Sequence, residues 1–71
     1  MKKFCDKLIV LRREKGLSQE QLAEYLEVSR QSVSKWEADK TMPEISKLIA
    51  ISGLFQVSLD YLLIDDCENR N

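Results

Sequence analysis

The feature that most restricts this chain is a pair of short amphipathic segments joined by three residues. Residues 19–26 place Leu22, Ala23 and Leu26 on one face, and residues 30–38 place Val33 and Trp36 at i and i+3. Both spacings fit the 3.6-residue period of a helix with one buried side. The connection is Glu27-Val28-Ser29. Two helices that cross steeply over so short a turn need a small residue where they touch, and apolar residues around it. Ala23 supplies the first, and Leu22, Leu26, Val28, Val33 and Trp36 supply the second. The second segment is left with a polar face of Arg30, Gln31, Ser32, Ser34 and Lys35.

The punctuation around this pair predicts five helices and no strand. The first helix is expected over residues 2–15, with Phe4, Leu8, Leu11 and Lys15 on one stripe. There the alkyl stem of Lys15 can lie over the core edge. Gly16 is expected to end this helix in the left-handed region. Ser18 and Gln21 form an S-x-x-Q capping box for the second helix. Ser29 is the expected cap of the third. Pro43 suits a first helical position, because the N–H it lacks would be unbonded there, so the fourth helix is expected over 43–55. Ser58 caps a fifth, over 58–64. The expected core is Leu8, Leu11, Leu22, Ala23, Leu26, Val33, Leu48, Ile51, Phe55 and Leu62. Trp36 joins it, being in phase with Val33 and so better suited to packing than to base stacking. Val10 falls opposite the buried stripe and Ile9 at its edge, as scattered surface apolar residues or contacts to a second chain. Residues 1–64 read as one domain and 65–71 as a flexible tail.

Composition narrows the chemistry. With 71 residues there is room for one domain. The absence of His removes the commonest general base and metal ligand. Cys5 and Cys67 sit at opposite ends without a CxxC spacing, so no disulfide framework or metal site is expected. Cys5 reads as a small semi-buried apolar residue, Cys67 as a thiol of the tail. No nucleophile–base pair is visible, so neither catalytic residues nor a cofactor are expected. Apolar runs such as Leu8 to Leu11 are far shorter than the roughly 18 residues of a membrane span. The formal net charge of −1 divides unevenly. Residues 1–43 hold nine Lys/Arg against seven Asp/Glu, and residues 44–71 hold two against five. A polyanion meets the local surface rather than the total, so the first part is the better nucleic-acid face.

A helix has about the width of the major groove of DNA, where its N-terminal residues reach base edges. At this point LSQEQLAEYLEVSRQSVSKWEADKTMPEISKLIAISGLFQVSLDYLL resembles the Cro/phage-repressor-type (XRE-like) helix-turn-helix family. The resemblance rests on LSQ before the second helix, the pair Leu22-Ala23, VS in the turn, Trp36-Glu37, the proline before the fourth helix, and VSLDYLL. It covers roughly residues 4–63. It implies an all-α, five-helix lambda-repressor-like domain. By the same likeness the chain is a cytoplasmic transcriptional regulator, or the DNA-binding part of one, that binds double-stranded operator DNA, an inverted repeat, as a homodimer. Base contacts are implied for Arg30, Gln31, Ser32, Ser34 and Lys35, and backbone contacts for Gln19 and Lys40. Arg12 and Glu37 match a pair that joins the first helix to the end of the third. The chain departs from the family pattern at Glu27, Asp39 and Gln56, where Gly or Asn is usual, and at Gly53, inside the fourth helix.

Two other readings compete with this one. In the first, the same fold is an antitoxin or protein-interaction module using its acidic C-terminal half. The basic and amide face of the third helix argues against that. In the second, Arg30, Gln31 and Lys35 are an ordinary solvated surface, and the spacing of the preceding helix argues against it. No small-molecule ligand, metal or membrane association is expected for a chain of this length.

Overall fold

The computed structural model describes residues 2–64. The expectations for the tail and for Cys67 lie outside the described residues. Five helices follow in order: α1 Phe4–Glu14, α2 Gln19–Leu26, α3 Arg30–Glu37, α4 Ile45–Phe55 and α5 Leu59–Leu63. The all-α architecture expected from the apolar periodicity is the one observed.

Two helices start later than expected. α1 begins at Phe4 because Asp6 accepts the backbone N–H of Lys3 at 3.1 Å, which makes Lys3 the flanking residue, with ψ 172°. α4 begins at Ile45, not at Pro43. Glu44 is its N-cap, with ψ 168°, and the Glu44 carbonyl takes the first intrahelical bonds, from Lys47 and Leu48. The Pro43 ring is buried one residue ahead of that cap. Burial of the ring, and not its preset φ, decides where it sits. The hydroxyls of Ser18, Ser29 and Ser58 cap α2, α3 and α5 by accepting the N–H three residues on. Ser18 and Gln21 form the reciprocal capping box.

The C-termini of α1 to α4 all close in one way. The residue after the turn donates back five positions: Leu17 to Arg12, Val28 to Ala23, Lys40 to Lys35 and Val57 to Ser52, at 2.9–3.1 Å. This closure needs a left-handed residue just past the helix. Gly16 (φ 74°), Glu27 (φ 60°), Asp39 (φ 62°) and Gln56 (φ 57°) fill that place. Only the first has no Cβ to strain. Leu17, Val28 and Val57, the apolar residues that follow, pack against the core.

That core takes Phe4 and Leu8 from α1, Leu22, Ala23 and Leu26 from α2, Val33 and Trp36 from α3, Leu48 and Ile51 from α4, and Leu62 from α5. Cys5 is buried beside it. Two expected members, Leu11 and Phe55, are only half-buried. They line an open depression with Glu14 and Lys15, where α1 and α4 leave a gap at their ends. Val10 is exposed and Ile9 half-buried.

One buried residue was not anticipated. Lys7 is 1% exposed. Its ammonium donates to the carbonyls of Tyr61 at 2.6 Å and Ile64 at 2.5 Å, and lies 4.9 Å from the Tyr61 ring centre. It thereby caps the C-terminal end of α5, where the helix dipole favours a cation. Lys47 does the same for α2, donating to the Leu26 carbonyl at 2.7 Å.

Two stability outcomes follow. Gly53 is exposed within α4, and a Cβ there meets nothing within 4 Å. Gly53→Ala should stabilise by about 0.5–1 kcal/mol, and Glu27→Gly by about 1 kcal/mol, seen as higher urea midpoints with unchanged slope. Lys7→Met keeps most of the side-chain volume but removes both donors. It should lower stability by about 1.5–3 kcal/mol in the same titration, as expected for losing hydrogen bonds from a charged group.

Candidate nucleic-acid interface

The site is built on the crossing of α2 and α3, the most extensively packed pair of helices in the fold. Ala23, 2% exposed, sits in the buried α2 face with Leu22 and Leu26, and Val33 and Trp36 are buried from α3. With its inner face so held, α3 turns Arg30, Gln31 and Lys35 to the exterior. Ser32 and Ser34 are half-buried. The Ser32 hydroxyl lies 3.2 Å from that of Ser29 at the helix start, which occupies part of its hydrogen-bonding capacity. Lys40 is exposed in the turn after α3.

The structure brings Arg12 and Glu37 together. Arg12 Nε donates to Glu37 Oε2 at 2.6 Å and Nη2 to Oε1 at 3.2 Å, a fork geometry in which the two side chains are 12% and 6% exposed. Arg12 Nη1 also donates to the Leu17 carbonyl at 2.8 Å. The pair fastens α1 and the turn after it to the last residue of α3. Charge-assisted, two-point bonds of this kind are short and direction-specific. Lys3 and Asp39 form a second ion pair at 3.2 Å, but both side chains are more than half exposed, so it adds little.

Gln19 extends the buried pair. Its Nε2 donates to Glu37 Oε1 at 2.9 Å, and its Oε1 accepts from Arg30 Nη1 at 3.1 Å. Gln19 and Arg30 both stand out in the sequence, but their direct contact was not anticipated. They are eleven residues apart, and only the crossing of α2 over α3 makes them neighbours. Among the described residues no group of three or more His, Cys, Asp and Glu side chains is placed to hold a metal ion, and no helix is long and apolar enough to cross a membrane.

Two short helices locked at a crossing, the second with its polar face outward, define a helix-turn-helix domain. The chain belongs to the helix-turn-helix family, which matches it over residues 8–62. It is 51% identical to the HTH-type transcriptional activator BcrR of Enterococcus faecalis, over 96% of this chain and 37% of that protein. It is 37% identical to the uncharacterized HTH-type transcriptional regulator YobD of Bacillus subtilis, over 84% of this chain and 54% of that protein. The chain thus spans from about a third to just over half of the length of these relatives. Among solved structures, the P22 c2 repressor in complex with a synthetic operator superposes with a TM-score of 0.86 at 30% identity. That match covers 93% of this chain and all of the repressor chain. The fold is therefore that of the phage-repressor DNA-binding domains.

The ion pair makes a direct test of the architecture. Replacing either Arg12 or Glu37 by Ala alone strands a largely buried charge and should cost about 3–5 kcal/mol. The double replacement should cost less than the sum of the two. A double-mutant cycle by urea unfolding measures the difference as a coupling energy.

Proposed function

We propose that this chain is a sequence-specific DNA-binding module of a transcriptional regulator, with α3 as the element that enters the major groove. The observation that carries the reading is the outward face of α3. Arg30, Gln31 and Lys35 stand exposed on a helix whose inward face is locked by α2 and whose end is tied to α1. A rigid helix with amide and guanidinium side chains suits base recognition. Gln forms a two-point pair with adenine and Arg with guanine, each worth about 1–3 kcal/mol of discrimination. Ser32, Ser34 and Lys35 complete the face, the two serines with less reach. Gln19 and Lys40 flank it and hold phosphates, which sets register without reading sequence. The relatives named as a transcriptional activator and regulator support the role, as does the repressor crystallised on operator DNA. The role is one of binding rather than catalysis, exercised in the cytoplasm, and its domain comprises residues 1–64.

We further propose that the DNA-bound form is a symmetric dimer on an inverted repeat, with half-sites about 10 bp apart. The apolar side chains of Leu63 and Ile64 and the Tyr61 ring, all exposed at the end of α5, are the surface for the second copy. Leu59 is half-buried against the core and contributes only its outer edge. The antitoxin or adaptor reading, which would use the acidic C-terminal half, has less support, since α3 presents a basic and amide face of Arg30, Gln31 and Lys35.

Selection of bound sequences from random DNA tests the proposal. An inverted repeat should be enriched, and sedimentation of the complex should give two chains per site. On the selected operator, Gln31→Ala should relax the preference at one base pair of each half-site. Lys40→Ala should weaken binding to every sequence about equally and reduce the salt dependence by roughly one unit for each phosphate no longer held. Unchanged preference after Gln31→Ala, with one chain per site, would favour the adaptor reading instead.

A further inference from the structure

We infer that Lys3 is a further contact to the DNA backbone, held in reserve by Asp39, whose carboxylate occupies it in place of a phosphate. The inference rests on the DNA-binding reading above and adds to it a brake on sequence-independent affinity. Asp39 lies two residues past the end of α3 and directly precedes Lys40, which that reading assigns to a phosphate. It therefore stands at the edge along which the backbone of a groove-bound duplex passes. A carboxylate at that edge repels phosphate. It is also strained, at φ 62°, a conformation glycine adopts without cost. What the Asp39 side chain gains is Lys3, whose Nζ donates to Oδ2 at 3.2 Å across 36 positions of the chain.

α1 thus sends two cations to the end of α3, Arg12 to Glu37 and Lys3 to Asp39, and the two pairs differ in kind. The Arg12 pair is a two-point fork with side chains 12% and 6% exposed, so opening it strands a buried charge. The Lys3 pair is a single contact, with side chains 59% and 54% exposed. Water and salt reach both of its members, so it adds little to the fold and opens readily. An ammonium is a compact charge on a flexible stem, and it accepts a phosphate oxygen as easily as a carboxylate oxygen. Lys35 and Lys40 are exposed at the same end of α3 and draw a polyanion toward it. When a duplex docks, Lys3 trades Asp39 for a phosphate. The trade gains less than a fresh contact would, because an ion pair is broken and its carboxylate stays near the backbone. The pair therefore lowers affinity for all DNA and leaves base preference alone, since phosphate contacts carry no sequence information.

The test compares the unmutated chain with Asp39→Asn, Lys3→Ala and the double variant. Asn keeps the volume of Asp and tolerates the left-handed turn. Binding to the selected operator and to a random-sequence duplex is measured from about 50 to about 200 mM salt. Asp39→Asn should tighten both roughly 3- to 10-fold at the lower salt, and steepen the slope of log affinity against log salt by up to about one unit. The ratio of operator to random affinity should not change. In the Lys3→Ala background the steepening should vanish and most of the gain with it. An equal gain in that background means that Asp39 merely repels DNA, and overturns the assignment of Lys3. Unchanged binding by Asp39→Asn overturns it too. Midpoints of urea unfolding should lie close together for all four chains. A clearly lowered midpoint for either single variant would make the pair a structural strut rather than a reserve. Each of these results leaves the DNA reading intact, because the operator is still selected. An unmutated chain that enriches no sequence overturns the DNA reading, and the role of Lys3 falls with it.

Discussion

The bidentate contact between Arg12 and Glu37 fixes the relation of three helices at once. Arg12 belongs to α1, Glu37 closes α3, and Gln19 opens α2. Apart from that contact, α3 is anchored in the fold by apolar residues such as Val33 and Trp36, which are buried in the core. Apolar packing favours contact and is indifferent to small rotations. Hydrogen bonds of 2.6–3.2 Å in a fork are not. A buried ion pair is often no more stabilising than a well-packed apolar pair of the same volume. Its value here is angular: it sets the rotation of the outward face of α3 about the helix axis, on which the proposed base recognition depends.

The same need for direction governs the helix ends. A fold of five helices in so few residues has many termini per residue, and each leaves backbone groups without partners. Serines meet the need at three N-termini. At the C-termini a left-handed residue and a bond back five positions recur four times. Two lysines serve as caps across the tertiary structure, Lys7 on α5 and Lys47 on α2. No described buried side-chain nitrogen or oxygen is left without a partner. Strain is accepted at Glu27 and Gln56, because the closure they allow brings Val28 and Val57 onto the core.

Most of this was legible in the residue order. Local rules act within one turn of helix, so the capping serines, the Gly16 stop and the apolar period could be read position by position. The left-handed conformation of Glu27, Asp39 and Gln56 was implied by their standing where glycine is usual. Pro43 was misplaced because its preference for a first helical turn is weak beside the gain from burying its ring. Leu11 and Phe55 were assigned to the core on phase alone, and phase does not tell how closely two helix ends approach. Lys7 lies on the same stripe as Phe4, Leu8 and Leu11, and a lysine in phase with a core is a signal that it caps something. What it caps, the end of α5, is more than fifty residues away and invisible to local reasoning.

The sequence by itself therefore determined the elements, their order and the face of α3 that is polar, since each depends on the chemistry of near neighbours along the chain. Only the tertiary structure decided which distant groups meet. Gln19 touching both Glu37 and Arg30 is the clearest case. That contact follows from the angle at which α2 crosses α3, and the angle is a property of packed surfaces rather than of any one residue. A side chain's identity states what it can donate or accept. Its partner is chosen by where the backbone carries it once the core has closed.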